Sequence, residues 1–236
     1  MPFLAAFDFD CVITRWDLLQ HLARRLGRGD EGDKWERLYH DGMFEAGTPE
    51  ARDAAAILGL ESKFAIVRGL ALEEMARLVG EVPLTPGVAD ALRKIDAEGV
   101  QVAVVSGTLL PIARAVASIH GLPVRHFVCS ECGVGNGVIG SPTYYLTPAR
   151  KGERLAGLMG SLGIPASHCF ATGDSISEEP MFRIVGKNNS IGFNCREKLK
   201  PHVGHVVYEH GDEAREFSAV ADIIISRVAE LNEKQS

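Results

Sequence analysis

The segment FLAAFDFD, residues 3–10, is an apolar run that ends in two aspartates, Asp8 and Asp10, with one residue between them. An apolar run of this length is typical of a buried β-strand. Ligand sites in open α/β sheets lie outside the carboxyl ends of the strands, and this strand would deliver both carboxylates there. Two carboxylates this close repel each other unless a cation or a proton lies between them. The segment therefore predicts a functional site that holds a divalent cation.

The length and composition set the class of protein. The chain has 236 residues, 46% of them hydrophobic and 24% charged, and this length fits one large domain or one domain with a substantial insert. The net charge of −6 argues against a nucleic-acid partner, which normally requires a basic face. No stretch approaches the roughly 18 apolar residues of a membrane span, and no basic region precedes the first apolar run, as a secretory signal would require. We therefore expect a cytoplasmic protein without a nucleic-acid or membrane partner.

The chain contains five cysteines, an odd number with irregular spacing, which favours reduced thiols over a disulfide framework. Cys129 and Cys132 form one CxxC motif, which could be half of a zinc site or a redox pair. No second CxxC follows, so two ordinary thiols at the end of a strand are the preferred interpretation. Cys11 lies next to Asp10, and we expect a buried, inert thiol there rather than a redox-sensitive one.

Apolar, β-branched segments recur along the chain and alternate with helical patterns. This alternation predicts an α/β fold, a parallel sheet with helices on both faces. The strands are expected at residues 3–7, 100–105, 124–128, 168–172, 190–193 and 205–208. One intervening helix is expected to begin at Thr85-Pro86 and to end before Gly99, and the last is expected near 214–231. Asn136-Gly137, within a glycine-rich segment, predicts a β-hairpin, and a flexible loop is the alternative.

Residues 15–83 break the alternation, because they show helical periodicity and no convincing strand. The periodicity runs from Trp16 to Leu26, resumes after Thr48-Pro49, and appears again at 72–79. Helices inserted directly after the first strand would lie over the carboxyl end of that strand. We therefore predict a core domain of residues 1–14 and 84–236 and a helical cap domain of residues 15–83.

Three later positions add chemistry to the opening pair. Ser106-Gly107 ends the second strand with a hydroxyl and an unobstructed backbone N–H, which can both bind an anion. Lys151 lies at the start of a helix, where its charge would meet that anion. Asp174 ends a third strand and is followed by Glu178 at the next helix start. Each residue also has a structural alternative, since Ser106 and Asp174 could be helix N-caps and Lys151 could form a surface ion pair.

This ordered set of motifs resembles the haloacid dehalogenase superfamily. The first family motif, DxDx(T/V), matches residues 8–12, and the second, a Ser or Thr at the end of a hydrophobic strand, matches Ser106. The third motif, a Lys or Arg at a helix start, matches Lys151, and the fourth, GDxxxD, matches residues 173–178 with Glu178 in place of the final aspartate. The chain is identified as phosphoserine phosphatase-like, because those enzymes carry a helical cap after the first motif and a similar Lys-Gly-Glu third motif. The resemblance implies a Rossmann-like core.

The resemblance also implies a phosphatase mechanism. Asp8 would be the nucleophile that forms an aspartyl-phosphate, and Asp10 would protonate the leaving alkoxide and later deprotonate water. Mg²⁺ would be the cofactor, held by Asp8, the main-chain carbonyl of Asp10, and Asp174. The phosphate-binding groups would be Ser106, Gly107, Lys151 and Phe9. Behind them, Glu178 and Ser177 would orient Lys151 or a metal-bound water, although the family usually has aspartate and asparagine at those places.

The expected substrate is a small phosphomonoester, with phosphoserine as a candidate. Asp17 stands where phosphoserine phosphatases carry an acidic cap residue, and it would either meet an ammonium group or only cap the following helix. Arg52 lies in the region from which that family binds the substrate carboxylate. Two alternatives from other classes remain open: a catalytically idle binding protein, and a phosphotransferase or mutase that uses the same aspartyl intermediate.

Overall fold

The computed structural model describes residues 1–45, 48–209 and 216–234, and within them it contains a seven-stranded sheet and nine α-helices. The strands are β1 (Phe3–Phe7), β2 (Val100–Leu109), β3 (Val124–Gly135), β4 (Val138–Tyr144), β5 (Cys169–Gly173), β6 (Ser190–Phe193) and β7 (His205–Val207). The helices are α1 (Leu18–Arg25), α2 (Gly29–Glu45), α3 (Pro49–Val67), α4 (Leu72–Val79), α5 (Val88–Ala97), α6 (Leu110–Ile119), α7 (Pro148–Leu162), α8 (Glu179–Val185) and α9 (Glu216–Glu233).

The sheet has the order β4-β3-β2-β1-β5-β6-β7, and every pair is parallel except β3 and β4. The central strand β1 and its neighbour β5 are buried along their whole length, because helices cover both faces of the sheet. One core cluster contains residues of α5, α6 and α9, and the other contains residues of α7 and α8. The predicted α/β fold with a mostly parallel sheet is thus confirmed.

The predicted hairpin connects β3 to β4. Asn136 and Gly137 form its turn, and both have positive φ, 51° and 74° respectively. Positive φ at both central positions is the requirement of the tight hairpin turn that Asn-Gly favours. The glycine-rich segment is therefore an ordered hairpin and not the flexible loop of the alternative.

The helix expected to begin at Thr85-Pro86 begins two residues later, at Val88. Gly87, with φ of 78°, is its N-cap, so the chain turns through a left-handed conformation before the helix starts. Glycine adopts this conformation without the steric cost that a side chain adds. The expected start was wrong because the proline precedes this turn and is not the first helical residue.

Helices α1 to α4 all fall between β1 and β2. Asp17 is the N-cap of α1 and accepts a hydrogen bond from the backbone N–H of Gln20 at 2.8 Å. Leu18 and Leu22 are buried on the inner face of α1, and Phe64 of α3 stacks on Tyr145 at a centroid distance of 5.8 Å. These helices thus pack against the core, while the domain boundary at residues 15–83 stays a prediction. In the part of the chain that is described, no helix has both the length and the apolar character of a membrane span.

The register of the sheet determines which side chains meet. Phe7 of β1 pairs with Val104 of β2 and with Thr172 of β5, and the backbone N–H of Asp8 donates to the carbonyl of Thr172 at 2.9 Å. The residues that follow these three positions therefore share one edge of the sheet, as is expected for the carboxyl ends of parallel strands.

Candidate active site

A cavity of about 90 Å³ lies between this edge of the sheet and helices α1 to α3. It contains side chains from β2, from the loop after β1, from α7 and from the segment after β5. Eight of the residues predicted from the sequence line it: Asp8, Asp10, Asp17, Ser106, Gly107, Lys151, Asp174 and Ser177. The structure therefore brings together residues that are up to 169 positions apart in the chain.

Lys151 lies between two carboxylates. Its Nζ donates to Oδ1 of Asp8 at 3.2 Å and to Oε1 of Glu178 at 2.6 Å. Lys151 is in the first turn of α7 and only 3% of it is exposed, so it is not the surface ion pair of the structural alternative. Burial acts to lower the pKa of Lys151, but Asp8 and Glu178 outweigh burial and raise it above its ordinary value.

Glu178 is fully buried and does not line the cavity. Its Oε2 accepts the backbone N–H of Ser175 at 2.9 Å and the hydroxyl of the same residue at 3.0 Å, which forms a capping box. Its Oε1 accepts from Lys151 and from the hydroxyl of Ser177. Burial acts to raise the pKa of Glu178, but these donors and the charge of Lys151 lower it below the ordinary value. Glu178 is thus held in place on one side and holds Lys151 on the other.

The carboxylates of Asp8, Asp174 and Glu178 offer ligand oxygens that all lie within 4.8 Å of one another. Burial is the main cause that raises the pKa of Asp8 to about 6, with Lys151 opposing and Glu178 adding to the rise. Burial, followed by the charges of Glu178 and Asp8, raises the pKa of Asp174 well above its ordinary value. Raised carboxyl pKa values of this origin show that burial disfavours the negative charges of Asp8 and Asp174, a cost that a bound cation would offset. Oxygen ligands in such a cluster fit Mg²⁺, which binds one or two carboxylates and keeps several waters.

Asp10 lines the cavity close to Asp8. Its Oδ1 accepts the backbone N–H of Leu18 at 2.8 Å, which orients the side chain at the cavity wall. Burial, followed by the charges of Asp17 and Asp8, raises the pKa of Asp10 well above its ordinary value. A raised pKa favours the protonated form of a carboxyl group, which can donate a proton.

The next residue, Cys11, has φ of 59°, a left-handed conformation that is uncommon outside glycine and costs about 1–3 kcal/mol. Burial and the surrounding carboxylates raise the pKa of its thiol, which favours the inert thiol over the redox-sensitive one. All five cysteines are free, and burial likewise raises the pKa of Cys129 and Cys132.

Ser106 and Gly107 line the cavity where β2 reaches the edge of the sheet. The N-cap of α6 is Leu109 and that of the short helix after β5 is Ser175, so neither Ser106 nor Asp174 is the helix cap of the structural alternative. The hydroxyl of Ser106 accepts the backbone N–H of Thr108 at 3.3 Å. Its own proton therefore remains available for an anion.

Ser130 supports this segment and was not identified from the sequence. It is fully buried, its hydroxyl donates to the carbonyl of Gly107 at 2.7 Å, and the same oxygen accepts the backbone N–H of Leu146 at 2.9 Å. The peptide that follows Gly107 is thereby fixed. Ser130 lies between the two cysteines of the CxxC motif, and no periodic pattern in the sequence there indicated this supporting role.

The cap side of the cavity contains an ion cluster that the sequence analysis only partly found. Lys63 of α3 donates to Oδ2 of Asp17 at 2.5 Å and forms an ion pair with Glu36 of α2 at 3.0 Å, and its Nζ lies 5.1 Å from the ring centroid of Tyr39. Asp17 therefore both caps α1 and lines the cavity, so its two predicted roles are compatible. Lys63 could have been found, because it shares the buried face of α3 with Leu60, Phe64 and Val67.

Two predicted residues lie elsewhere. Arg52 is exposed on α3 and is not among the residues that line the cavity. The side chain of Phe9 is buried in the core, and its backbone N–H donates a hydrogen bond to the carboxylate of Asp8.

The chain is similar to known proteins in sequence and in fold. The family model of the haloacid dehalogenase-like hydrolases matches residues 5–183. The phosphoserine phosphatase of Archaeoglobus fulgidus is 26% identical over 199 residues, which cover 84% of this chain and 54% of that protein, so the chain spans about half the length of this relative. The phosphoserine phosphatase of Halobacterium salinarum is 25% identical over 206 residues, which cover 86% of this chain and 92% of that protein. The structure of a substrate-bound phosphoserine phosphatase has a TM-score of 0.74 at 19% identity and covers 95% of this chain and 99% of its own.

Proposed function

The chain belongs to the haloacid dehalogenase-like hydrolase family, and on that premise we propose that it hydrolyses a small phosphomonoester through an aspartyl-phosphate on Asp8, with Mg²⁺ as cofactor. It is a phosphatase, the class in which its named relatives fall. The observation that carries the mechanism is the position of Lys151 between Asp8 and Glu178, in a cavity that Asp174 and Ser106 also line.

The residues that would hold Mg²⁺ are Asp8, Asp174 and the main-chain carbonyl of Asp10. When bound, the ion would neutralise phosphoryl oxygens and so allow an anionic nucleophile to approach phosphorus. The raised pKa values of Asp8 and Asp174 support this assignment, because burial disfavours their negative charges and a bound cation would offset that cost.

In the first half-reaction, the carboxylate of Asp8 attacks phosphorus, and the bond from phosphorus to the ester oxygen breaks. Asp10 gives its proton to the leaving alkoxide, which departs as an alcohol. The ammonium of Lys151, the hydroxyl of Ser106 and the backbone N–H of Gly107 stabilise the charge on the equatorial oxygens. The ion pair with Glu178 keeps the Lys151 ammonium in place without a contribution from the substrate.

In the second half-reaction, water replaces the alcohol. The carboxylate of Asp10 takes one proton from the water as the oxygen attacks the aspartyl-phosphate. The bond between phosphorus and Asp8 breaks, inorganic phosphate leaves, and both aspartates return to their starting states.

A small metabolite is the proposed substrate class. The cavity volume of about 90 Å³ is well below the roughly 300–1,000 Å³ of drug-sized ligand pockets. Helices α1 to α3 form its outer wall, which supports a role for residues 15–83 as a cap that excludes water during the reaction. Phosphoserine, the substrate in the names of the relatives, is the reference compound for any test.

The test is phosphate release from p-nitrophenyl phosphate with and without Mg²⁺. We expect turnover that needs the ion, one inorganic phosphate for each nitrophenol, and loss of turnover in Asp8→Asn. Asp90→Asn is the matched control, because Asp90 is an exposed aspartate on α5. Turnover in Asp8→Asn would contradict the nucleophile assignment. Transfer of phosphate to an added alcohol without release would indicate a mutase, and no turnover of any phosphomonoester would indicate an idle binding protein.

A further inference from the structure

Thr108 lines the cavity, although neither the motifs in the sequence nor the proposed mechanism uses it. Only 2% of this residue is exposed, and its hydroxyl oxygen has no hydrogen-bond partner in the part of the chain that the structure describes. Buried polar groups normally have a partner, because an unpaired one does not recover the hydration that it lost on folding. A ligand in the cavity would supply the missing partner.

The backbone around Thr108 is fixed on both sides. Its N–H donates to the hydroxyl of Ser106 at 3.3 Å, and the carbonyl of the preceding residue, Gly107, accepts the hydroxyl of the buried Ser130 at 2.7 Å. Threonine is branched at Cβ, which restricts its χ1 rotamers. The hydroxyl of Thr108 therefore has little freedom to turn toward another partner.

Two other threonines show what is particular to Thr108. Thr147 and Thr172 are fully buried, and their hydroxyl oxygens also have no partner among the described residues. Neither of them lines the cavity. Of these three hydroxyl groups, only that of Thr108 thus belongs to a residue that a ligand in the cavity can contact.

The position of Thr108 along β2 indicates which part of a substrate it meets. Side chains two positions apart in a strand face the same side, so Thr108 lies one step further along the strand than Ser106. A Cβ on Gly107 would lie 3.4 Å from the side chain of Leu60, and Leu60 of α3 also lines the cavity. Beyond Ser106 the strand thus runs along the wall that α3 forms. In the proposed mechanism the leaving group lies opposite Asp8, on the side of these helices.

We propose that Thr108 is a specificity-determining residue whose hydroxyl forms a hydrogen bond with a hydroxyl group on the leaving alcohol. The substrate is then a phosphomonoester of a polyol or sugar. This inference rests on the proposed phosphatase function and names the class of leaving group. A site that is built to bond a substrate hydroxyl rejects the analogue that lacks it, because the buried group of the protein then stays unpaired.

The first test compares kcat/KM for glycerol 1-phosphate and for n-propyl phosphate, which has the same carbon chain without the two free hydroxyl groups. In the wild-type protein with Mg²⁺ we expect glycerol 1-phosphate to exceed n-propyl phosphate by about tenfold, the change that about 1.4 kcal/mol produces. Equal values, or a preference for n-propyl phosphate, would overturn the inference without any variant. Failure to release phosphate from p-nitrophenyl phosphate would instead contradict the proposed function.

Thr108→Val removes the hydroxyl and keeps the shape of the side chain. We expect the ratio of kcat/KM for glycerol 1-phosphate to that for n-propyl phosphate to fall about tenfold, and Thr108→Ser to keep most of the wild-type ratio. Thr147→Val is the matched control, because it removes an equally buried, unpartnered hydroxyl outside the cavity, and its ratio should equal that of wild type. The ratio is measured within each variant, so partial unfolding does not alter it. An unchanged ratio in Thr108→Val would remove Thr108 from substrate selection.

Thermal unfolding of the ligand-free protein separates this role from a structural one. Because Thr108→Val removes an unpaired buried hydroxyl, we expect its Tm to exceed the wild-type Tm by roughly 2–4 °C. A hydroxyl that stabilises the fold would give the opposite sign. A Tm of Thr108→Val below the wild-type value would therefore show that the hydroxyl has a partner within the protein, and would overturn the inference.

Discussion

Asp8→Asn should abolish turnover and yet make the metal-free protein more stable at pH 8. The pKa of Asp8 is raised from 3.8 to about 6, chiefly because the carboxyl group is buried. Each pKa unit corresponds to about 1.4 kcal/mol, so ionisation of Asp8 in the metal-free fold costs about 3 kcal/mol. Asparagine has the same shape and does not ionise. Lys151 should still pair with Glu178 in the variant, since that ion pair of 2.6 Å does not involve Asp8.

The sign of the pH dependence follows from the direction of this shift. A carboxyl group with a higher pKa in the folded than in the unfolded chain stabilises the fold below its unfolded pKa, and that contribution is lost as the pH rises through the folded pKa. Ionisation of Asp8 should therefore lower the stability of the wild type between about pH 4 and pH 7. Asp8→Asn should not show this loss. For a chain of this size, about 3 kcal/mol corresponds to a Tm difference of roughly 6–12 °C at pH 8, which shrinks toward pH 4.

The assay is thermal unfolding of both proteins in a chelator at pH 4, 6 and 8, followed by circular dichroism, with Asp90→Asn as the surface control. The chelator matters because a bound cation would remove the penalty. A Tm of Asp8→Asn that equals or falls below the wild-type value at pH 8, or a difference that does not change with pH, would refute the electrostatic account of the site.

Three further outcomes follow from contacts around the cavity. Saturating Mg²⁺ should raise the Tm of the wild type at pH 8, and at a Mg²⁺ concentration of 100 times Kd the gain corresponds to about 2.7 kcal/mol of unfolding free energy. The Tm of Asp8→Asn should rise less. Equal shifts in Tm would show that the ion binds elsewhere. A Cβ on Gly173 would clash with Glu178, so Gly173→Ala should displace the ion-pair partner of Lys151 and lower kcat/KM about 100-fold. Gly157→Ala is the control, because a Cβ on Gly157 meets no atom within 4 Å, and it should keep wild-type activity in the same assay. Ser130→Ala should cost about 1–3 kcal/mol in unfolding free energy and raise KM, and Ser130→Thr should restore much of both. A normal KM in the alanine variant would show that Ser130 does not position Gly107 for substrate binding.

Local patterns in the sequence predicted most of the secondary structure. β1 and β5 are apolar throughout because both faces of the sheet are covered, so their sequences alone identify them as buried strands. Asn136-Gly137 specifies its hairpin turn through its own positive φ angles. Asp17 and Thr48 cap α1 and α3 through hydrogen bonds to residues three positions away. Each of these features depends on neighbours in the chain, which is why the sequence is sufficient to predict them.

The part of the site at the sheet edge was predictable for a different reason. Parallel strands present their carboxyl ends at one edge, so any residues that follow such strands converge there. Asp8, Ser106 and Asp174 meet in the cavity as this rule requires. The order of the four motifs and the rule together located the residues, although the roles assigned to them stay predictions until the kinetic tests are done.

What only the tertiary structure decided is which charged side chains of α1, α2 and α3 meet at the cavity. The contact between Asp17 and Lys63 joins residues 46 positions apart, and Glu36 comes from α2, a helix that the sequence patterns did not single out. Helix packing, which has no fixed period in the sequence, determines which charges on α1, α2 and α3 meet. The sequence by itself determined the strands, the caps and the residues at the sheet edge, because strand alternation and chain direction dictate them, whereas the ion cluster of Asp17, Glu36 and Lys63 exists only once three helices are packed together.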